Sequence, residues 1–184
     1  MSRLDLRKLV DGGVAGRRES VAVVGDALRE EGGVRVEGYA GVDGGGEGDR
    51  VAAMSAVAGR LLAAMAEYFG LSDASFAAAS GAAVDVEGEA AARAVLARSL
   101  LVVVPEVPAG AEVRRSVEGW VPVAARAAEI LVLPGDGLAT LTGGVVPPSD
   151  LRWPARDAVE VVEVRALAGA PRAALSEFAE AYRK

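Results

Sequence analysis

The sequence predicts an α+β domain in which N-terminal helices pack on a β-rich C-terminal portion shaped as a sandwich or barrel. Three observations carry that prediction. Up to about residue 80, apolar residues recur at intervals of three and four, the period of a helix with one buried face. Beyond Gly81 the apolar runs shorten, turn β-branched and are punctuated by Gly and Pro. A length of 184 residues suits one domain with a sizeable core, whereas two would be cramped. Residues 1–184 therefore read as one domain: 1–80 mainly helical, 81–172 β-rich, and 173–184 a terminal helix.

The first helix spans 17–31, with Val21, Val24, Ala27 and Leu28 as its buried stripe, and Gly32-Gly33 ends it. Val34-Arg35-Val36-Glu37 alternates apolar with charged residues, as a strand with one dry face does. Gly44-Gly45-Gly46-Glu47-Gly48 is a loop and not a phosphate cradle, because no strand leads directly into it and no Lys-Ser/Thr follows. A second helix runs from Asp49, its N-cap, to Phe69; Met54, Val57, Ala58, Leu61, Leu62 and Met65 face inward and Gly70 closes it. Residues 72–76 read as a further helical turn.

Leu100-Leu101-Val102-Val103-Val104, stopped by Pro105, is a strand covered on both faces. Further strands are expected at 111–114, 120–123, 129–133 and 159–164, separated by Gly110, Gly119, Pro134-Gly135 and Pro147-Pro148. In the last helix Leu175, Phe178, Ala179 and Tyr182 form a stripe that packs on the domain or on a second subunit. There is no repeat of solenoid length.

Composition excludes more than it assigns. Lys and Arg number 20 against 26 Asp and Glu, a net charge of −6, and no basic cluster exceeds a pair, which argues against a nucleic-acid partner. Charges interrupt every long apolar stretch, so no membrane span is expected, and the charged N-terminal residues do not read as a secretory signal. A cytoplasmic protein is the expectation. There are no Cys and no His. Those two zeros remove disulfides, thiolate nucleophiles, Cys/His zinc sites, Ser-His triads, His-ligated haem and the 2-His-1-carboxylate iron site.

The order of the pieces resembles the isopenicillin-N-synthase-like family of iron and 2-oxoglutarate dependent oxygenases. Leu4-Asp5-Leu6 is similar to that family's opening strand, and the stretch from Ala27 to Gly38 to its first helix and following strand. Residues 61–76, with Tyr68-Phe69-Gly70-Leu71, resemble the helix that precedes the family's barrel. Glu118-Gly119-Trp120-Val121-Pro122-Val123, then Ile130-Leu131-Val132-Leu133-Pro134-Gly135-Asp136 and Leu141-Thr142-Gly143-Gly144, resemble its strand, turn and strand. The resemblance implies a double-stranded β-helix, a jelly-roll-like barrel of two sheets with the metal between them, here reduced in size.

It also implies where the family's chemistry would sit. Its His-x-Asp motif falls on Val95 and Ala97 and its second His near Leu151, so all three ligand positions are apolar; the Arg that anchors 2-oxoglutarate falls near 157–159, beside Arg156. A chain without His presents no imidazole to iron, and no spaced Asp/Glu cluster suits Mg²⁺ or Ca²⁺. No cofactor is expected.

Candidate residues remain, each with a plainer alternative. Glu160 or Glu163 could enter a pocket as a base; otherwise both face solvent near an edge. Arg114 and Arg115 with Trp120 could form a carboxylate-binding wall; otherwise one arginine points outward, the other bridges, and the tryptophan caps the core. Asp136 is expected to hydrogen-bond its own loop. Asp150, Arg152 and Trp153 would line the mouth of any surviving pocket, unless Trp153 simply docks the loop. The Tyr39 phenol could donate a hydrogen bond or only pack.

Three functions follow from this reading. The first is an oxygenase-like pseudoenzyme without its iron site, binding a small apolar or acidic ligand or serving as an auxiliary subunit in specialised metabolism. Its partners would be a second copy or an intact relative. The alternative is a metal-independent isomerase, cyclase or lyase that uses a carboxylate in the emptied barrel. A structural domain unrelated to oxygenases is the third. A barrel filled solid by Val and Leu would defeat the emptied-barrel enzyme.

Overall fold

The computed structural model describes residues 1–39, 50–71, 76, 81–115, 118–124, 126–154 and 158–166. The glycine loop at 44–48, Asp49, residues 72–75, the terminal helix at 173–184, and Arg156 with Asp157 lie outside them.

The early helical pattern becomes α1 (Leu6–Asp11), α2 (Gly13–Glu30) and α3 (Arg50–Tyr68). α2 buries Val21, Val24, Ala27 and Leu28, as its spacing requires. α3 ends in a Schellman arrangement: Gly70 takes φ +69°, its N–H donates to the Glu67 carbonyl, and the Leu71 N–H donates to the Ala66 carbonyl. Among the described residues α3 alone is long and apolar enough to cross a membrane. Here it is a core helix, burying Met54, Val57, Ala58, Leu61, Leu62 and Met65.

α2 and α3 touch where Gly25 meets the Tyr68 ring. A Cβ at position 25 would come within 2.2 Å of Tyr68 Cδ2. The ring cannot swing away cheaply, because its hydroxyl donates to Asp26 (2.7 Å) and accepts from Arg29 (2.8 Å). Burial and then the Asp26 hydrogen bond raise the Tyr68 pKa above its ordinary value.

Nine strands accompany the helices among the described residues, in two sheets. Six of them are β1 (Arg3–Asp5), β2 (Val34–Glu37), β3 (Ala82–Val86), β4 (Leu101–Val104), β7 (Ile130–Pro134) and β9 (Val159–Val164). They form the sheet beneath the helices, in the order β1-β2-β7-β4-β9-β3. All its pairings are antiparallel except β1 with β2. The other three, β5 (Glu112–Arg115), β6 (Gly119–Pro122) and β8 (Leu151–Arg152), form a second sheet in the order β6-β5-β8. β4 is buried on both faces, as its unbroken apolar run predicts. Leu101 and Val103 face the helices, while Val102 and Val104 face the second sheet.

The strand expected at 34–37 is β2, and the opening strand that the resemblance places at 4–6 is β1; the two pair side by side in the central sheet. The structure corrects the sequence reading in two places. Residues 88–96, expected to belong to the β-rich portion, form helix α4 (Gly88–Leu96), which buries Ala92, Val95 and Leu96. Residues 136–141, expected as a turn leading to a strand, form the short helix α5 (Asp136–Leu141).

Replacing Gly25 by Ala should lower the melting temperature, although Ala favours a helix by about 1 kcal/mol over Gly. The collision with Tyr68 outweighs that gain, for a net loss of about 1–2 kcal/mol. Thermal unfolding followed by circular dichroism reads the sign, and a raised melting temperature contradicts this packing.

Candidate functional site

A double-sheet barrel of eight strands has four in each sheet. Here the second sheet has three strands among the described residues, and α4 packs beside β8. The segment Gly88-Glu89-Ala90-Ala91-Ala92-Arg93-Ala94-Val95-Leu96 is rich in alanine and poor in β-branched residues, so it folds as a helix.

The apolar face of α4 fills the space between the sheets. Val95 and Leu96 meet Val102, Leu133, Leu151, Trp153 and Val161, leaving a void of about 10 Å³. That is at the limit for one water molecule, and only apolar side chains surround it. Val95 and Leu151, two of the positions where the resemblance places metal ligands, face this void together; Ala97 is exposed at the C-cap of α4. Fe(II) and 2-oxoglutarate do not fit the residues present. The side chains lining the void offer no donor atom to a metal and no cation to a dianion. Among the described residues the space between α4 and the two sheets is packed and not hollow.

Charged residues pin both ends of the plug. Arg98, just after α4, donates to both carboxylate oxygens of Glu163 (2.8–3.0 Å), and Arg165 donates to the same carboxylate. Glu163 is only 2% exposed, so it is neither a free base in a pocket nor a solvent-facing residue. Burial alone would raise its pKa, but the hydrogen bonds from Arg98 and Arg165 outweigh that and hold it below the ordinary carboxylate value. At the other corner Arg93 Nη2 of α4 donates to both carboxylate oxygens of Asp136 (2.8 and 3.0 Å), and its Nε lies 3.4 Å from Asp150. Asp136 thus serves α4, not its own loop.

Of the remaining candidates, Arg114, Trp120 and Arg152 share the outer face of the second sheet, with Arg114 opposite Trp120 in register, and the others lie apart. Arg114 is exposed and lies 3.6 Å from Asp150, while its neighbour Arg115 turns to the opposite face and bridges Glu31 and Glu118. They build no common wall. Arg152 stacks on Trp120, 4.1 Å from the ring centre, and bonds Glu112 at 2.7 Å, on the outer face of the second sheet. Asp150 and Arg152 therefore point away from the interior, and Trp153 is buried in the plug. Glu160 is half exposed, 3.8 Å from Arg50.

Two of the grooves outside the plug lie at opposite ends of the central sheet. One, of about 260 Å³, is lined by Arg29, Glu30, Gly32, Arg114, Pro147, Pro148 and Asp150. The other, of about 430 Å³ at the opposite end of the central sheet, includes Tyr39, Arg50, Arg126, Ala128 and Glu129. Sequence reasoning missed Arg50, Arg126 and Glu129, which carry no motif and meet only in the folded chain.

This architecture is the double-stranded β-helix of the 2-oxoglutarate/Fe(II) oxygenases. A protein from Caulobacter crescentus assigned to the 2OG-Fe(II) oxygenase family superposes with a TM-score of 0.63 at 12% identity, covering 89% of this chain and 86% of that one. A full-length Neurospora crassa protein in complex with alpha-KG gives 0.61 at 9% identity, covering 89% and 83%. The dioxygenase for auxin oxidation 1 of Arabidopsis thaliana, with 2-oxoglutarate, gives 0.60 at 11% identity, covering 91% and 92%. At such identities the shared property is the fold. No family model matches the sequence, and neither does any curated protein.

Two measurements test the plug and its rim. Leu151→Ala should cost about 3 kcal/mol in urea unfolding, because it deepens a dry apolar void that the sheets cannot close. Glu163→Gln should cost about 2 kcal/mol at neutral pH, since it leaves two arginines on an uncharged buried amide. With a lowered folded pKa, the Glu163 contribution is present above the ordinary value of 4.5 and fades as pH falls through the folded value. The gap between wild type and variant should therefore close in acid, and a gap that persists there contradicts the ion pair.

Proposed function

We propose that this chain is a pseudoenzyme of the oxygenase fold, an auxiliary or small-molecule-binding subunit that acts through its surface and not through the barrel interior. The observation that carries the reading is the apolar plug: Val95 and Leu151 stand together where the resemblance places metal ligands, around a void of about 10 Å³. Chemistry between the sheets would need donor atoms and a space for substrate, and the lining side chains supply neither. A partner, either a second copy or an intact relative, is part of this proposal, as is a cytoplasmic setting. The outer faces offer charged and aromatic groups, Arg114, Trp120 and Arg152 among them, of the kinds that interfaces favour.

The direct test is an assay of the purified chain with Fe(II), ascorbate, O₂ and 2-oxoglutarate, measuring succinate release and bound iron after desalting. The expected result is no succinate above the protein-free control and substoichiometric iron. Stoichiometric iron with 2-oxoglutarate turnover by this polypeptide alone would falsify the proposal.

A further inference from the structure

We propose that β3 is a pairing edge through which two copies of this chain join, strand against strand and antiparallel, so that their central sheets run together. The inference rests on the reading of the chain as an auxiliary subunit and names its partner as a second copy. β3 (Ala82–Val86) is the last strand in the order of its sheet and pairs with β9 alone among the described residues. Alternate residues of such a strand turn their N–H and C=O groups away from the neighbour, so those groups are left to water or to another strand.

The other sheet edges among the described residues are protected in ways that β3 is not. β1 has three residues, two of them the charged Arg3 and Asp5. β6 ends in Pro122, which has no N–H to donate, and the short β8 lies beside α4. β3 is longer, at five residues, and contains no Pro, Lys or Arg; its Ala82 and Ala83 are exposed and too small to keep a second backbone away. Val84 and Val86 turn toward the second sheet, which leaves Ala83 and Asp85 on the helix side.

Charge selects a second copy and the antiparallel direction. At the Ala82 end, Arg98 and Arg165 both bond the carboxylate of Glu163, which stands opposite Ala82, so one positive charge is in excess. At the Val86 end, Asp85, Glu87 and Glu89 are exposed and have no ion partner among the described residues; Asp85 faces a like charge, Glu160, across β9. The edge thus carries opposite charge at its two ends. Antiparallel pairing about Val84 sets the acidic end of each copy beside the basic end of the other, whereas parallel pairing would join like ends. In that register Val84 meets Val84 and Ala83 of one copy stands opposite Asp85 of the other, so no two carboxylates are directly opposed. The two Asp85 side chains lie on the diagonal, about 7–8 Å apart. An interface built on so short a ladder is small, and a dissociation constant in the micromolar range is expected.

Sedimentation velocity of the full chain from about 5 to about 500 μM tests this. The sedimentation coefficient should rise with concentration toward that of a dimer, and hydrogen exchange should slow at residues 82–86 in the concentrated sample. Ala83 is exposed, so substitutions there leave the monomer folded, which circular dichroism checks. Ala83→Glu sets a carboxylate opposite Asp85 twice per dimer and should weaken association about fivefold or more; Ala83→Lys sets a cation there and should tighten it by about as much. A chain that stays monomeric throughout overturns the proposal, as does a dimer without added protection at 82–86 or one whose affinity does not follow the charge at position 83. The iron and succinate assay is blind to this edge. Turnover by a dimer would sink the pseudoenzyme reading and leave the pairing standing, and an inert monomer would do the reverse.

Discussion

The contact between the apolar face of α4 and the two sheets is the constraint on which the rest of the molecule depends. Without it the second sheet would present β8 as an open edge, and the inward side chains of β4, β7 and β9 would face a cleft. Val95 and Leu96 close that cleft, each contributing about 1.5–3 kcal/mol by leaving water. In a metal-binding barrel of this fold, an ion and its ligands occupy the space between the sheets; here dispersion and apolar burial fill the same structural role. The two solutions are mutually exclusive, because a polar donor in so small a dry space would lack partners and destabilise the packing.

The charged residues follow from that arrangement. With the interior apolar, Arg93 and Arg98 are left at the margins of α4, and each finds carboxylates on another element: Asp136 and Asp150 for the first, Glu163 for the second. These contacts fix how the helix sits without placing an unpaired charge between the sheets. Glu163 is the instructive case. It lies on the same face of β9 as Val159 and Val161, where a charge would be costly, and two arginines at the rim make it tolerable.

Much of the fold was legible from pattern alone. The stripe of α2, the run of β4 and the strand at 159–164 each carry a period that one element satisfies. β2 was legible from the alternation at 34–37, but its partner β7 lies nearly a hundred residues away and no local period names it. α4 was missed because residues 81–172 were read as β-rich throughout, while the local composition of 88–96 favours a helix; propensity prevailed. Of the candidate site residues, Val95 and Leu151 line the same small void, whereas Arg114 and Arg115 diverge because neighbours on a strand face opposite sides.

By itself the sequence determined that no imidazole or thiolate can act in this protein, and that its strands and helices each have a face to bury, because residue identity and period are local properties. Only the tertiary structure decided that the space between the sheets is packed, that Glu163 is buried between two arginines, and that Arg50, Arg126 and Tyr39 share one groove. Those outcomes depend on which distant surfaces meet and how much volume they leave, and neither quantity is encoded in any single segment of the chain.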